Sequence, residues 1–141
     1  MPKYFLNLNK LGYDSLGREL NLGGFEKDPR RKEVDKLEMG DFVFTADDKC
    51  FQLLSHVTSV PVIRDQVRDG EVQKVYGVDL EPIKRLNEIR RDVIRAVLWR
   101  LQPDSPYVQE TRFSQNAWLI PLNQNVSAEF MEISGAAGDL P

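Results

Sequence analysis

Residues 37–60 read "LEMGDFVFTADDKCFQLLSHVTSV", a strand, a polar tip and a second strand. Phe42-Val43-Phe44-Thr45 is a short β-prone run. Leu37 to Asp41 is the turn leading in, and Ala46-Asp47-Asp48-Lys49 is the tip. Cys50 to Val60 returns as a longer strand. In it Phe51, Leu53, Ser55, Val57 and Ser59 share one face, with Cys50, Leu54, His56, Thr58 and Val60 on the other. Neither face is purely polar, so both are expected to be partly covered. Gly40-Asp41 suits the lead-in turn, because glycine tolerates a positive φ and aspartate bonds nearby backbone.

Upstream, Tyr4 to Asn9 is a short strand whose apolar residues do not alternate cleanly, the pattern of burial on both faces. Leu11 to Phe25 reads as a long loop with four glycines, Gly12, Gly17, Gly23 and Gly24. Long loops in small domains are often functional. Glu26 to Lys36 is dense in both charges, and Pro29 suits the start of a short helix.

Downstream, Pro61 marks a kink or edge position, with Val62-Ile63 continuing the strand. Asp69-Gly70 between two β-rich runs predicts a second hairpin, with Val72 to Leu80 as its return strand. Ile83, Leu86, Ile89, Val93, Ile94, Val97, Leu98 and Leu101 then recur at helical spacing. They predict one long helix over 82–101, opened by Pro82 and closed before Pro103. Asn116 to Leu122 reads as a last strand. Residues 134–141, "SGAAGDLP", read as a flexible tail. The expected fold is α+β: a small curved β-sheet or β-barrel of five or six strands with one long helix. Residues 1–133 form a single domain.

The totals agree with one core. The chain has 141 residues, 41% hydrophobic and 29% charged, with a net charge of −3. That charge excludes a uniformly basic coat but not a local basic face. Lone Cys50 allows no intramolecular disulfide, and with lone His56 it argues against structural zinc. No apolar run reaches membrane-spanning length, and the N-terminus lacks a signal-peptide pattern, so a reducing, cytoplasmic setting is expected.

Few residues point to catalysis. Cys50 and His56 lie six positions apart on one strand face, about 20 Å, too far for a dyad. Asp47-Asp48 reads as turn chemistry, without calcium-loop spacing. Leu22-Gly23-Gly24-Phe25 lacks a phosphate-loop continuation. No enzyme activity, cofactor or metal is expected. The 82–101 segment carries six bases (Lys84, Arg85, Arg90, Arg91, Arg95, Arg100) against Glu88 and Asp92, a local charge of +4. It reads either as a solvated face laced by i,i+3 and i,i+4 pairs or as a phosphate-facing surface. Aromatics beside amides (Tyr13 and Phe25 in the glycine-rich loop; Asn7, Asn9 and Asn116; Phe113 and Trp118 flanking the last strand) suit base recognition, the ring stacking and the amide reading an edge. The competing reading is that these rings fill the core.

"KYFLNLNK" (Lys3–Lys10), the charged linker, Met39-Gly40-Asp41-Phe42-Val43-Phe44 and His56-Val57-Thr58-Ser59-Val60 together resemble the PUA-like superfamily, closest to its EVE and YTH-type members. The resemblance covers residues 3 to 63. It departs from EVE domains at Asn7-Leu8-Asn9-Lys10, where a lysine-serine-glutamate-proline run is usual, and near Phe51, where a glycine is usual. The resemblance implies binding of DNA or RNA, often through a modified base held in an aromatic pocket. Prokaryotic members serve as recognition modules of modification-dependent restriction systems. It carries over Asn9 and Phe25 as pocket residues. Aromatic placement adds Tyr13 and Trp118, and Lys10, Arg30, Arg31, Lys32 and Arg112 are the loop bases expected to meet phosphate. The alternatives kept open are an interaction domain whose basic helix meets a partner protein or effector subunit, and an enzyme of unrecognised type.

Overall fold

The computed structural model describes residues 2–8, 18–47, 49–115 and 117–136. Seven strands form one mixed sheet that curls into a half-barrel. In chain order the elements are β1 (Tyr4–Asn7), β2 (Glu19–Gly23), a 3-10 turn (Phe25–Lys27), α1 (Arg31–Val34), β3 (Phe42–Ala46), β4 (Phe51–Val57), β5 (Val62–Arg68), β6 (Glu71–Arg85), α2 (Arg91–Leu101), β7 (Leu119–Leu122) and α3 (Gln124–Ile133).

The opening stretch forms the hairpin read from its sequence. β3 and β4 pair antiparallel from Phe42↔His56 to Ala46↔Phe51, with a register shift at Thr45/Ala46. The lead-in turn works as its residues require. Gly40 sits at φ +90°. Asp41 is buried, and its carboxylate accepts from the Lys3 amide at 3.0 Å and the Glu38 amide at 2.9 Å. One side chain thus stitches the chain before β1 to the turn before β3. β1 lies parallel to β3 and antiparallel to β7, a central position. Both its faces are buried: Phe5 faces one cluster, Leu6 and Leu8 the other. That explains its lack of alternation.

β6 is the longest strand. β4 and then β5 pair along one edge of it, and β2 takes the other. The Asp69-Gly70 turn has both φ values positive, 52° and 79°, the geometry of a two-residue hairpin turn. Every strand but β5 contributes to the interior of the curl, where Phe5, Leu20, Leu22, Val43, Val57, Val78, Leu80, Trp118 and Leu119 pack with Val34 of α1 and Leu37. α2 and α3 cover the outside, burying Ile94, Val97, Leu98, Val126 and Phe130 against Leu6, Phe44, Phe51 and Leu54.

Four expectations need correction. The helix over 82–101 is only its second half: β6 runs through Pro82 to Arg85, and α2 begins at Arg91. Ile83, Leu86 and Ile89 mimic helical spacing, but pairing with β4 overrides it. Pro82 is tolerated because it lies opposite Ser55, at the register shift after Leu54. The one long helix is thus replaced by three, the longest being α2 with 11 residues. The loop over 11–25 contains β2. Last, Ser134 and Ala136 are fully buried, so no flexible tail begins at Ser134, and residues 137–141 lie outside the described residues. α3 had no counterpart in the sequence reading. Asn123 caps it, its side chain accepting from the Val126 amide at 2.8 Å.

Candidate functional site

At the C-terminal end of β1 three neighbouring strands turn polar groups into the curl. Asn7 pairs in register with Thr45 of β3 on one side and Leu119 of β7 on the other. Side-chain alternation puts Asn7 and Thr45 on the face of Phe5 and Val43, the interior face. The Leu8 amide bonds the Trp118 carbonyl at 2.7 Å, which brings Trp118 to the same end. Trp118 is 2% exposed and Thr45 5%. Among the described residues, neither the Trp118 indole Nε1 nor the Thr45 hydroxyl has a hydrogen-bond partner. A buried donor without a partner costs about 1–3 kcal/mol, so two in one small region need an explanation.

Arg30 approaches the same indole. Its guanidinium lies 5.7 Å from the Trp118 ring centroid. Asp28 holds it there with two parallel bonds, Nε to Oδ1 at 3.0 Å and Nη2 to Oδ2 at 2.7 Å. The guanidinium bond holds the Asp28 carboxyl below its ordinary range, and burial opposes it only in part. The pair therefore stays ionised, a fixed positive group beside an indole.

The other sequence candidates do not gather at one place. Asn9, Lys10 and Tyr13 lie outside the described residues, as does Asn116. Phe25 opens the 3-10 turn before Arg30. Arg31 turns to Tyr76, its guanidinium 4.4 Å from that ring, and stands 3.9 Å from Asp35. Trp118, expected as a stacking platform, is instead part of the core, buried together with its indole N–H. This is a correction in role: the ring belongs to the interior cluster.

Lys32 borders a groove of about 460 Å³ between α1 and the link after α2. Its floor is Glu33, 3% exposed, which accepts from the Tyr107 hydroxyl at 2.7 Å and Lys36 Nζ at 3.1 Å. Burial first, and then the bond to Glu33, push the Tyr107 hydroxyl well above its ordinary range. Each polar group on this floor is satisfied, so it reads as a structural polar cluster.

Arg112 lies elsewhere. It borders a hollow of about 390 Å³ with Arg91, Asp92, Arg95, Thr111 and Phe113. The basic face expected over 82–101 is thereby divided. Arg91 and Arg95 turn to this hollow, and Arg100 stands 3.9 Å from Glu129.

Thr45 was not singled out by sequence, and Arg91 and Arg95 were read only as members of the 82–101 basic run. Only the i,i+4 spacing of the two arginines was available to find them. Among the described residues no group of three or more potential metal ligands occurs, and no helix is long and apolar enough to cross a membrane. No protein-family model matches this chain, and no curated protein matches it.

Proposed function

We propose that this protein is a non-enzymatic, PUA-like nucleic-acid-binding module. It takes a base, modified or not, of DNA or RNA at the end of β1, where Asn7, Thr45 and Trp118 meet. The observation that carries the reading is the pair of buried polar atoms, Trp118 Nε1 and Thr45 Oγ1, left without partners among the described residues. They supply one donor and one donor–acceptor on the two sides of β1. The Arg30–Asp28 ion pair beside the indole adds a polar group of no net charge next to this end of the sheet. A curled sheet with a polar end to its interior is a common site for small planar ligands. The N-terminal sequence resemblance points the same way.

The test is binding of the purified chain to short labelled single- and double-stranded DNA and RNA, with and without methylated bases, at low and moderate salt. Salt-dependent binding that distinguishes one base, and that falls at least tenfold in Trp118→Phe, supports the reading. Absence of binding at low salt to all of them overturns it.

A second reading is favoured by one observation. Val93 and Trp99 of α2 are 44% and 39% exposed, an apolar pair on a helix facing solvent. Under that reading α2 docks on a partner protein or effector subunit. Trp99→Ala would then abolish partner binding and leave oligonucleotide binding unchanged.

A further inference from the structure

We propose that the hollow beside the first turn of α2 is a phosphate-binding site formed by Arg91, Arg95, Arg112 and Thr111. It is separate from the base site at the end of β1 and does not depend on it.

Three arginines from two segments line this hollow, and Asp92 is the one acid that lines it with them. That carboxylate is occupied. Its Oδ2 accepts from Arg90 at 3.1 Å and its Oδ1 from the Val93 amide at 3.0 Å. Two further acids, Asp47 and Glu110, touch these arginines through their backbone carbonyls. The Asp47 carboxylate accepts from the Cys50 and Lys49 amides, which hold it below the ordinary range, the Cys50 bond first, and the charges of Lys49 and Arg91 act in the same sense, so Arg91 is the arginine here that is partly balanced by an acid. Glu110 presents its carbonyl, not its carboxylate, to Arg95.

The arginines are positioned, not loose. Arg95 donates to the carbonyls of Gln109 and Glu110. Arg112 Nε donates to Gln109 Oε1 at 3.0 Å. Arg91 Nη1 donates to the Asp47 carbonyl at 3.1 Å, and its guanidinium lies 5.3 Å from the Phe113 ring centroid. Among the described residues, Arg95 and Arg112 therefore bond only neutral oxygens, which orient a guanidinium without cancelling its charge. Arg91 and Arg95 are also like charges at i,i+4, an arrangement that disfavours the helix unless an anion sits between them. Arg95 and Arg112 have further donors in their planar forks, the geometry that matches phosphate oxygens. Thr111 adds a hydroxyl and the positive end of α2 adds in the same sense.

The ligand chemistry is a phosphate oxyanion, from a phosphodiester backbone or from a free phosphate. The two sources are separated by titrating the folded chain with pyrophosphate and, independently, with an abasic deoxyribose-phosphate strand that offers no base. Arg95→Gln, Arg112→Gln and the double variant are titrated in parallel. Arg112 is exposed, so its variant carries the test if Arg95→Gln does not fold. Binding of the abasic strand that weakens about tenfold in the double variant, with a salt slope reduced by between 1 and 2, identifies a backbone site. Pyrophosphate binding lost in the variants, without strand binding, identifies a free-phosphate site. Wild-type binding to neither probe, or binding unchanged in Arg112→Gln and the double variant, overturns the proposal. The abasic strand keeps this result independent of the base site, whose failure would show only as indifference to base identity.

Discussion

The Arg30 guanidinium lies 5.7 Å from the Trp118 ring centroid while Asp28 holds it through two bonds. An aspartate near the start of α1 thereby fixes a cation against an indole on the far side of the chain. The indole N–H, buried and without a partner among the described residues, is the group this arrangement leaves over.

Trp118→Phe removes that N–H and keeps most of the ring. No bond among the described residues is lost, but the smaller ring leaves a cavity in the core, so the expected stability cost is about 1–3 kcal/mol. Thermal unfolding of the variant beside its oligonucleotide binding separates the two roles. An unchanged melting temperature would mean that the core closes over the missing ring atoms.

Thr45→Val replaces a buried hydroxyl with a methyl of nearly the same shape. With the hydroxyl unpaired, the variant is expected to be equal to wild type or more stable, by about 0.5–1 kcal/mol. Denaturant melts check the sign. The same variant is expected to weaken base binding, because the loss falls on the ligand.

The Asp28–Arg30 pair sets a pH dependence. The Asp28 carboxyl is held below its ordinary value of 3.8, first by the bond from Arg30, so its stabilisation is complete above that value and is lost as pH falls through the lower folded one. Wild type is expected to lose stability below about pH 4 more steeply than Asp28→Asn, by roughly 1 kcal/mol for this partly buried pair. Urea midpoints between pH 2 and 7 decide it; parallel curves would mean that the pair contributes nothing.

Tyr107→Phe removes the hydroxyl that donates to buried Glu33 at 2.7 Å. The carboxylate would keep Lys36 at 3.1 Å but lose its other partner. The expected cost is about 1–3 kcal/mol. In wild type the Tyr107 hydroxyl should still be protonated at a pH where exposed tyrosines have ionised, which ultraviolet titration of the wild type and the variant would reveal.

Gly77→Ala tests the closest approach in the sheet. A Cβ at Gly77 would stand 1.8 Å from the Leu20 carbonyl oxygen and 2.5 Å from Asn21 Oδ1. Backbone must move, so the variant is expected to lose at least 1–3 kcal/mol, on the order seen for overpacked cores. An unchanged melting temperature would place β2 further from β6 than this register has it.

Much of this protein was legible in its chain. The β3–β4 hairpin, the Gly40-Asp41 turn, the Asp69-Gly70 turn and the doubly buried β1 all follow from local chemistry: period-two apolar spacing, a glycine where φ is positive, a run with no polar face. Tertiary structure decided the rest. Residues 82–90 have helical spacing, but β4 offers a strand edge to Pro82–Arg85, and long-range pairing outweighs a weak local preference. The same holds for the candidate sites. No spacing in sequence joins Thr45 to Trp118, or Arg112 to Arg91. Thr45 and Trp118 are brought to one end of the sheet because β1 lies between β3 and β7, and Arg112 reaches Arg91 because the link after α2 returns along that helix. Which polar groups end up buried without a partner depends on what the curl places around them, and that is a property of the curled sheet, not of any single segment.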